Sequence, residues 1–445
     1  MSFPFHRALR HGLVLGVAVL ALVVAPRVVP AAESVTLEQV LAEVVAGDPA
    51  LVAQRHEIDA ARARARRAGA FEAPMLDLMV ENVPVGGGFD MDPMTMRVIG
   101  LEQRVVVSGA RGLARRAARA EVHAQEAMAD DTRWQRLSLA WQAYADAYWA
   151  DERLAAARGH RALMDRMASA ARARYESGRG RLENLLRVEA ERARIEADAV
   201  GFEAEVSGAR ARLAELMGRG GDGADLVLVE PRTVVAPDSA AGWAEVVASH
   251  PRVRMNLERG RARNDEAAAM RRMVWPDLTL RASYGYRSDL HHGGPQDDMW
   301  SAGVGLMLPI GTGARQGADA AAMTAMAEAA RSEARAQSLA IERELRTLRA
   351  EARAAERTAT LLQDTVAVAD RRVLAAAWSS YETARTDLAG VFDAAHALYA
   401  EEIEVTRARQ AQARASARLL AITARGDLVG VRIATADAPK EGVQR

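Results

Sequence analysis

The sequence predicts a mainly α-helical chain that also carries bilayer-crossing β-strands, built from one unit used twice. Three observations point to this fold class. The first is a helical seam. No proline interrupts the chain between Pro309 and Pro439, and within that span Leu345, Leu348, Ala352, Ala355, Ala359, Leu362, Val366, Ala369, Val373 and Ala376 alternate steps of three and four. That is a heptad pattern, the mark of a helix packed lengthwise against others. Run unbroken from Ala314 to about Tyr381, such a helix reaches on the order of 100 Å at 1.5 Å per residue. The second observation is internal repetition, and the third is a set of alternating strands.

Composition sets the bounds. The chain has 445 residues, half of them apolar but only 4% aromatic. Ala, Arg, Glu and Leu together make a helix-forming mixture with small side chains, suited to close helix packing. Residues 1–32 have a basic start (Arg7, Arg10), an apolar core from Leu13 to Ala25, and small residues around Ala31 and Ala32. This is the order of a secretory signal, with cleavage expected after Ala31 or Ala32; the alternative is an anchor that stays attached, for which the apolar core is short. Its removal leaves 56 basic against 59 acidic residues. That balance gives no support to nucleic-acid binding, and the arginines read as helix-surface charges paired with Glu and Asp. There is no cysteine, which excludes disulfides, thiolate metal sites and a lipid-modified cysteine. No later stretch approaches the roughly 18 apolar residues of a membrane helix, so any crossing must be made by strands.

The prolines outline the repeat. They cluster at 49–93 and again at 231–309. Leu41-Ala-Glu-Val-Val-Ala-Gly-Asp48-Pro49 echoes Trp243-Ala-Glu-Val-Val-Ala-Ser-His250-Pro251. Pro74-Met-Leu-Asp-Leu echoes Pro276-Asp-Leu-Thr-Leu, Ser108-Gly-Ala-Arg111 echoes Thr312-Gly-Ala-Arg315, and Tyr175-Glu-Ser-Gly echoes Tyr381-Glu-Thr-Ala. The offset drifts only from 202 to 206, which marks a duplication. The predicted organisation is a first repeat over 33–217, a linker with a small mid-height element over 218–238, a second repeat over 239–425, and a C-terminal tail over 426–445. Each repeat begins with a short helix (about 36–47 and 240–249) that stops at an X-Pro step, where the residue before proline resists the α region. A second helix runs to about Gly69 or Met273. Two strands follow, over 75–107 and 277–309, then a long helix, a break, and a returning helix that ends near Met217 or Thr423. The first returning helix carries its own heptad seam at Ile195, Ala199, Phe202, Val206, Ala209, Leu213 and Leu216.

The strands alternate. Leu278, Leu280, Ala282, Tyr284 and Tyr286 fall on one face of 277–287, against Asp277, Thr279, Arg281, Ser283, Gly285 and Arg287. Trp300 to Pro309 repeats the pattern, and Leu76, Leu78 and Val80 alternate in the first half, whereas Met96 to Val107 is mixed. About 10 residues is the length that crosses a bilayer at a tilt; an ordinary soluble hairpin with one wet face is the alternative. Four strands cannot close a barrel, so the open edges call for other subunits.

In this order the elements resemble the TolC-like family of bacterial outer-membrane efflux proteins over nearly the whole mature chain. The features that carry the likeness are the duplicated unit, the Asp48-Pro49 and His250-Pro251 breaks and the Pro276-Asp-Leu-Thr-Leu strand start. The turn Leu308-Pro309-Ile-Gly-Thr-Gly and the tip motif Tyr175-Glu-Ser-Gly178-Arg-Gly-Arg-Leu182-Glu-Asn-Leu185-Leu186 with its echo add to it. The resemblance implies a homotrimer whose subunits each give four strands to one 12-stranded barrel. Its coiled-coil helices continue as an α-barrel across the periplasm to an adaptor (membrane fusion protein) and an inner-membrane pump, expected to be of RND type. The implied function is an export duct in outer-membrane lipid, not an enzyme.

The resemblance also assigns roles at the tips, near 178–186 and 381–393. Tyr381 falls on the family's gate tyrosine, Asp393 on one of the aspartates ringing the aperture, and Arg385 lies one residue before the gate arginine's place, which is Thr386. The second ring aspartate is replaced by Gly390, and the usual turn glycine by Ala384. Gly178, Leu182, Leu185, Leu186, Ala384, Leu388 and Val391 are the expected adaptor-docking residues. Three like charges about a threefold axis would attract cations.

Other constellations weigh less. His291 and His292 beside Asp289, Asp297 and Asp298 are a candidate divalent-metal site in the outer loop, against the general rarity of adjacent histidines meeting one ion. Methionines 75, 79, 91, 94 and 96 crowd the first hairpin; thioether sulfur favours Cu(I), and Met also serves as apolar filler. Trp134, Trp141, Tyr144, Tyr148 and Trp149 at helical spacing are packing residues of a core or subunit interface. Gly100-Leu101-Glu102-Gln103 resembles the heavy-metal branch of the family, which points to copper, silver, zinc or cobalt cations as cargo. The alternatives are a multidrug or type I secretion duct and, from another class, a soluble periplasmic coiled-coil adaptor or scaffold. An adaptor would need one helical hairpin between β-rich halves, and this chain has two. No phosphate-binding loop, nucleophile elbow or His-Glu-Xaa-Xaa-His occurs, and no cofactor is expected.

Overall fold

The computed structural model describes residues 34–86, 92–221, 223, 226–231, 241–289, 294–311, 313–383 and 385–427. The expected export signal, the tail beyond Asp427, Met91, His291, His292 and Ala384 lie outside the described residues.

Each half opens with a capped pair of helices. Helix α1 (Leu37–Gly47) starts in a capping box, with Thr36 and Gln39 each bonding the other's backbone N–H, and it buries Leu37, Val40, Leu41 and Val44. Helix α2 (Pro49–Ala68) follows at once, with proline at its first turn and Asp48 as N-cap, its Oδ1 accepting from Ala50 N–H at 2.7 Å. The second half repeats the device with a different side chain. Helix α5 (Ala241–Ser249) gives way to α6 (Pro251–Arg272), and His250 Nδ1 accepts from Arg252 N–H at 3.1 Å.

The rods come next. Helix α3 (Ala110–Glu176) is 67 residues long without a break and spans about 100 Å. It turns into α4 (Leu182–Leu216), whose predicted seam is buried at Ile195, Ala199, Phe202, Val206, Leu213 and Leu216. The two run antiparallel, and ion pairs step down their outer edge: Arg158 to Glu203, Arg161 to Glu196, Arg192 to Asp165, Arg172 to Glu189. Exposed pairs of this kind contribute little stability each, but their spacing is consistent with a single register. The core under them is built largely of alanine, among them Ala140, Ala143, Ala147, Ala150 and Ala157, which lets backbones approach closely. Trp141, Tyr144 and Trp149 are buried in it.

In the second half the long helix is not continuous. Helix α7 (Gly313–Leu361) passes through one π-turn, Leu362–Val366, into α8 (Ala367–Glu382), and α9 (Leu388–Thr423) returns. A π-turn inserts one residue, and one residue is about 100° of helix rotation. The buried face therefore changes register. Leu345, Leu348, Ala352 and Ala359 are buried as predicted, but Val366 at the end of the turn and Ala369, Val373 and Ala376 beyond it are exposed. Ala367, Leu374, Ala377, Trp378 and Tyr381 face the packing instead. The second half of the predicted seam is thus corrected by one residue.

Four strands, β2 (Met75–Glu81), β3 (Met96–Val105), β5 (Asp277–Tyr286) and β6 (Met299–Met307), form one antiparallel sheet in the order β2-β3-β5-β6. Register sets Leu78, Ile99, Tyr284 and Trp300 in one row and Leu76, Leu101, Ala282 and Ala302 in another. That face is apolar and exposed; Leu78 and Trp300 are 73% and 80% accessible. The opposite face carries ion pairs between Glu102 and Arg281 and between Arg104 and Asp277. Among the described residues, strands β2 and β6 pair on one side only and stand at the two edges of the sheet.

At mid-height a short parallel pair, β1 (Ser34–Val35) with β4 (Val227–Leu228), clips the segment between the halves to the N-terminus. The Tyr144 hydroxyl sits among Val35 O, Val229 O and Val229 N–H at 2.6–2.9 Å. Burial pushes its pKa up to about 12, so it stays protonated and able to donate. Gly218, at φ +71°, meets Gly47: a Cβ there would lie 2.4 Å from the Gly47 carbonyl oxygen. No larger residue fits this crossing of the α1 and α4 ends.

Candidate functional site

The far ends of the rods form the candidate site. Helix α3 ends in a Schellman motif: Arg179 N–H donates to Arg174 O at 2.8 Å and Gly178 N–H to Tyr175 O at 2.9 Å, with Gly178 left-handed at φ +69°. At the end of helix α8 the Arg385 N–H donates to Ser380 O at 2.9 Å. Helix α9 is then started by Asp387, whose Oδ1 accepts from Leu388 N–H at 2.7 Å.

Two ties join these turns. The Arg174 guanidinium lies 3.9 Å from the Tyr381 ring centroid and donates to the Tyr381 carbonyl oxygen at 3.0 Å. Asn184, in the first turn of α4, donates to Asp387 Oδ1 at 2.9 Å. Tyr381 itself is buried in the hydrophobic cluster that also holds Leu185, Val188, Leu388 and Val391, and burial raises its pKa. Asp393, by contrast, is exposed on α9. It pairs with Arg187 of α4 at 3.6 Å, and Arg187 also lies over the Phe392 ring.

The expected docking residues divide into two groups. Leu182 and Leu186 are exposed, at 45% and 54%, while Leu185, Leu388 and Val391 are inside the packing between helices. Arg385 is exposed at the second turn, and Gly178 faces open space.

A buried polar strip that sequence reasoning missed runs behind the tip. Glu191 sits on the α4 seam between Val188 and Ile195, and it accepts from His396 Nδ1 at 2.7 Å and from Arg194 at 3.1 Å. His160 stacks on Tyr399 with 4.6 Å between centroids, and Tyr399 donates to Asp198 at 3.1 Å. Burial is the main reason the His160 pKa is pushed down to about 4. Arg153, also buried, reaches Gln410 at 2.9 Å and Glu205 at 2.7 Å. The one signal in the sequence was a charged residue at a seam position, Glu191, which a surface reading absorbs.

Residues 40–219 and 244–425 match the sequence family described as outer membrane efflux protein, which covers both repeats and most of the chain. The chain belongs to the outer membrane efflux protein family. It is a channel of the efflux type, not an enzyme, set in the outer membrane and extending into the periplasm. Proteins of this family work as trimers with an adaptor and an inner-membrane pump. Solved structures agree on the fold. A membrane protein from Pseudomonas aeruginosa superposes at TM-score 0.74 and 20% identity, covering 87% of this chain and 93% of that one. The Campylobacter jejuni CmeC outer-membrane channel gives 0.73 at 13% identity, covering 90% and 87%. The open state of the Neisseria gonorrhoeae MtrE outer-membrane channel gives 0.70 at 17%, covering 88% and 89%. No curated protein matches the sequence. For an outer membrane efflux protein the exposed apolar sheet face is the lipid face and the polar face lines the lumen. Among the described residues no helix is long and apolar enough to cross a membrane.

Proposed function

We propose that three copies close a 12-stranded barrel and a helical tunnel that exports metal cations delivered by an RND-type pump. The observation that carries the trimeric reading is the four-stranded sheet with one exposed apolar face and two unpaired edges. An exposed sheet edge demands a partner, and inside a bilayer an open edge is excluded altogether. The likeness of Gly100-Leu101-Glu102-Gln103 to the heavy-metal branch supports metal cations as the cargo class. In this reading residues 1–32 are removed on export and 218–238 holds the two repeats together at mid-height. Tyr381, Arg385 and Asp393 form the closing ring at the periplasmic end. Leu182 and Leu186, with the Gly178 turn, meet the adaptor, while Leu185, Leu388 and Val391 hold the two tips in position.

Fractionation with crosslinking tests the assembly. A detergent-extracted trimer from the outer membrane that conducts ions in planar bilayers is the expected result, and a soluble monomer sinks the proposal. Deleting the pump and scoring sensitivity to copper, silver, zinc, cobalt and dyes tests the cargo. Sensitivity confined to dyes removes metal cations from it.

A further inference from the structure

Every methionine of the sheet is on one face. Register places Met75, Met79, Met96, Met299 and Met307 with Glu102, Arg104, Thr279, Arg281 and Ser283, opposite the leucines and aromatic residues. An apolar filler would be expected among the leucines on the lipid side, where burial in lipid stabilises it. Here five thioethers project with the charges into the lumen.

Their outer members converge. One row crosses all four strands as Met79, Val98, Gly285 and Met299. Met96 lies on β3 next to that row, and its Sδ leans over Gly285: a Cβ at position 285 would be 2.8 Å away from it. Met299 is the register partner of the same glycine. The bare backbone of Gly285 therefore makes room for the Met96 thioether, which covers it beside Met299 on the same face. Met79 and Met299 occupy the two edge strands. Closing the barrel sets β2 of one copy beside β6 of the next, which brings a third thioether to the same side of the wall.

We infer that Met96 and Met299, with Met79 of the adjoining copy, form a binding position for soft monovalent metal cations, Cu(I) or Ag(I), at the outer mouth of the lumen. The inference rests on the lumen-face assignment above and names the cargo more narrowly. Thioethers are neutral soft donors that select Cu(I)-like ions over zinc, calcium or magnesium. They carry no proton in this pH range, so binding is insensitive to pH, unlike binding at histidine or carboxylate. Two or three neutral donors also bind without the charge density that would trap an ion in an exit path.

Silver is the probe. The chain has no cysteine, so a silver–sulfur shell in X-ray absorption of the purified protein can come only from methionine. We expect such a shell, with affinity for Ag(I) unchanged between pH 6 and 8. The double variant Met96→Leu/Met299→Leu should lose at least tenfold in affinity, Met79→Leu should weaken it further in the trimer, and Met307→Leu should leave it as in the parent. A parent protein without the shell, or a double variant that binds Ag(I) equally well, overturns the site. The pair lies within one copy, so Ag(I) binding is read even if no trimer forms. A conducting trimer without Ag(I) binding removes this site alone, whereas absence of a trimer removes the reading of assembly.

Discussion

The guanidinium of Arg174 covers the ring of Tyr381 at 3.9 Å and bonds its carbonyl oxygen at 3.0 Å, so the last turn of α3 clasps the last turn of α8. A partly desolvated cation–π contact with a charge-assisted hydrogen bond is worth roughly 2–3 kcal/mol. Removing it by Arg174→Ala should shift a closed aperture toward open by one to two orders of magnitude in population. Single-channel recordings should show a higher open probability or conductance. Arg174→Lys, which lacks the planar stacking group, should fall between the two. Conductance equal to the parent in Arg174→Ala assigns the clasp to stability only.

Asp393 is exposed and held at 3.6 Å from Arg187 of the neighbouring helix. In the proposed closing ring three such carboxylates surround one axis, a site for multivalent cations. Trivalent cations should block the parent channel, and Asp393→Asn should raise the blocking concentration at least tenfold. Arg187→Ala should instead strengthen block by freeing the carboxylate. Block unchanged in Asp393→Asn places that residue away from the aperture.

Acid should weaken the fold through two histidines. His250 caps α6 through a neutral Nδ1, and burial first, then Arg252, pushes its pKa down to about 4. His160, stacked on Tyr399, is lowered to a similar value chiefly by burial. The unfolded chain holds the extra proton between about pH 6.5 and 4. Stability is therefore fullest above pH 6.5 and falls as pH drops toward 4, by on the order of 2–3 kcal/mol per histidine. Denaturation midpoints across that range should show the slope, and His250→Asn, which keeps the capping acceptor, should flatten part of it.

The two classes of leucine at the tip should behave differently. Leu182→Glu and Leu186→Glu add charge to exposed positions. They should abolish adaptor crosslinking and efflux while leaving trimer formation and thermal stability within about 0.5 kcal/mol of the parent. Leu185→Ala, inside the core, should cost about 2–4 kcal/mol and lower the denaturation midpoint. Adaptor binding that survives both glutamates moves the docking surface elsewhere.

Much of this fold was legible because its periods are long and its breaks are prolines. The α4 seam survives into the structure, and Asp48 and His250 end and restart helices as their X-Pro steps require. Strand β3 was harder to read. Arg97 and Gln103 stand on its apolar face opposite Tyr286 and Leu280, and Val98 stands on the polar face beside Gly285. The π-turn left no compositional mark at all, because Leu362 and Val366 suit a continued heptad as well as an interrupted one. Its mark is tertiary: Arg409 of α9 bonds Gln363, a π-turn residue, through both Nε and Nη2. The tip residues were found by likeness, and Arg174, Asn184 and Glu191, which hold them, were not, since each looks like ordinary helix surface until its partner is known.

The π-turn also decides which face of the rod seats each end. On its membrane side α7 buries one face against α6 and α9; on its tip side α8 buries another. A perfectly regular helix would keep one face to its packing along its whole length. Here the wider turn at Leu362–Val366 breaks that regularity, and the face that α8 buries is offset from the one that α7 buries. The two ends of this wall are thus seated by different faces of one continuous rod, the barrel end through α7 and the tip end through α8.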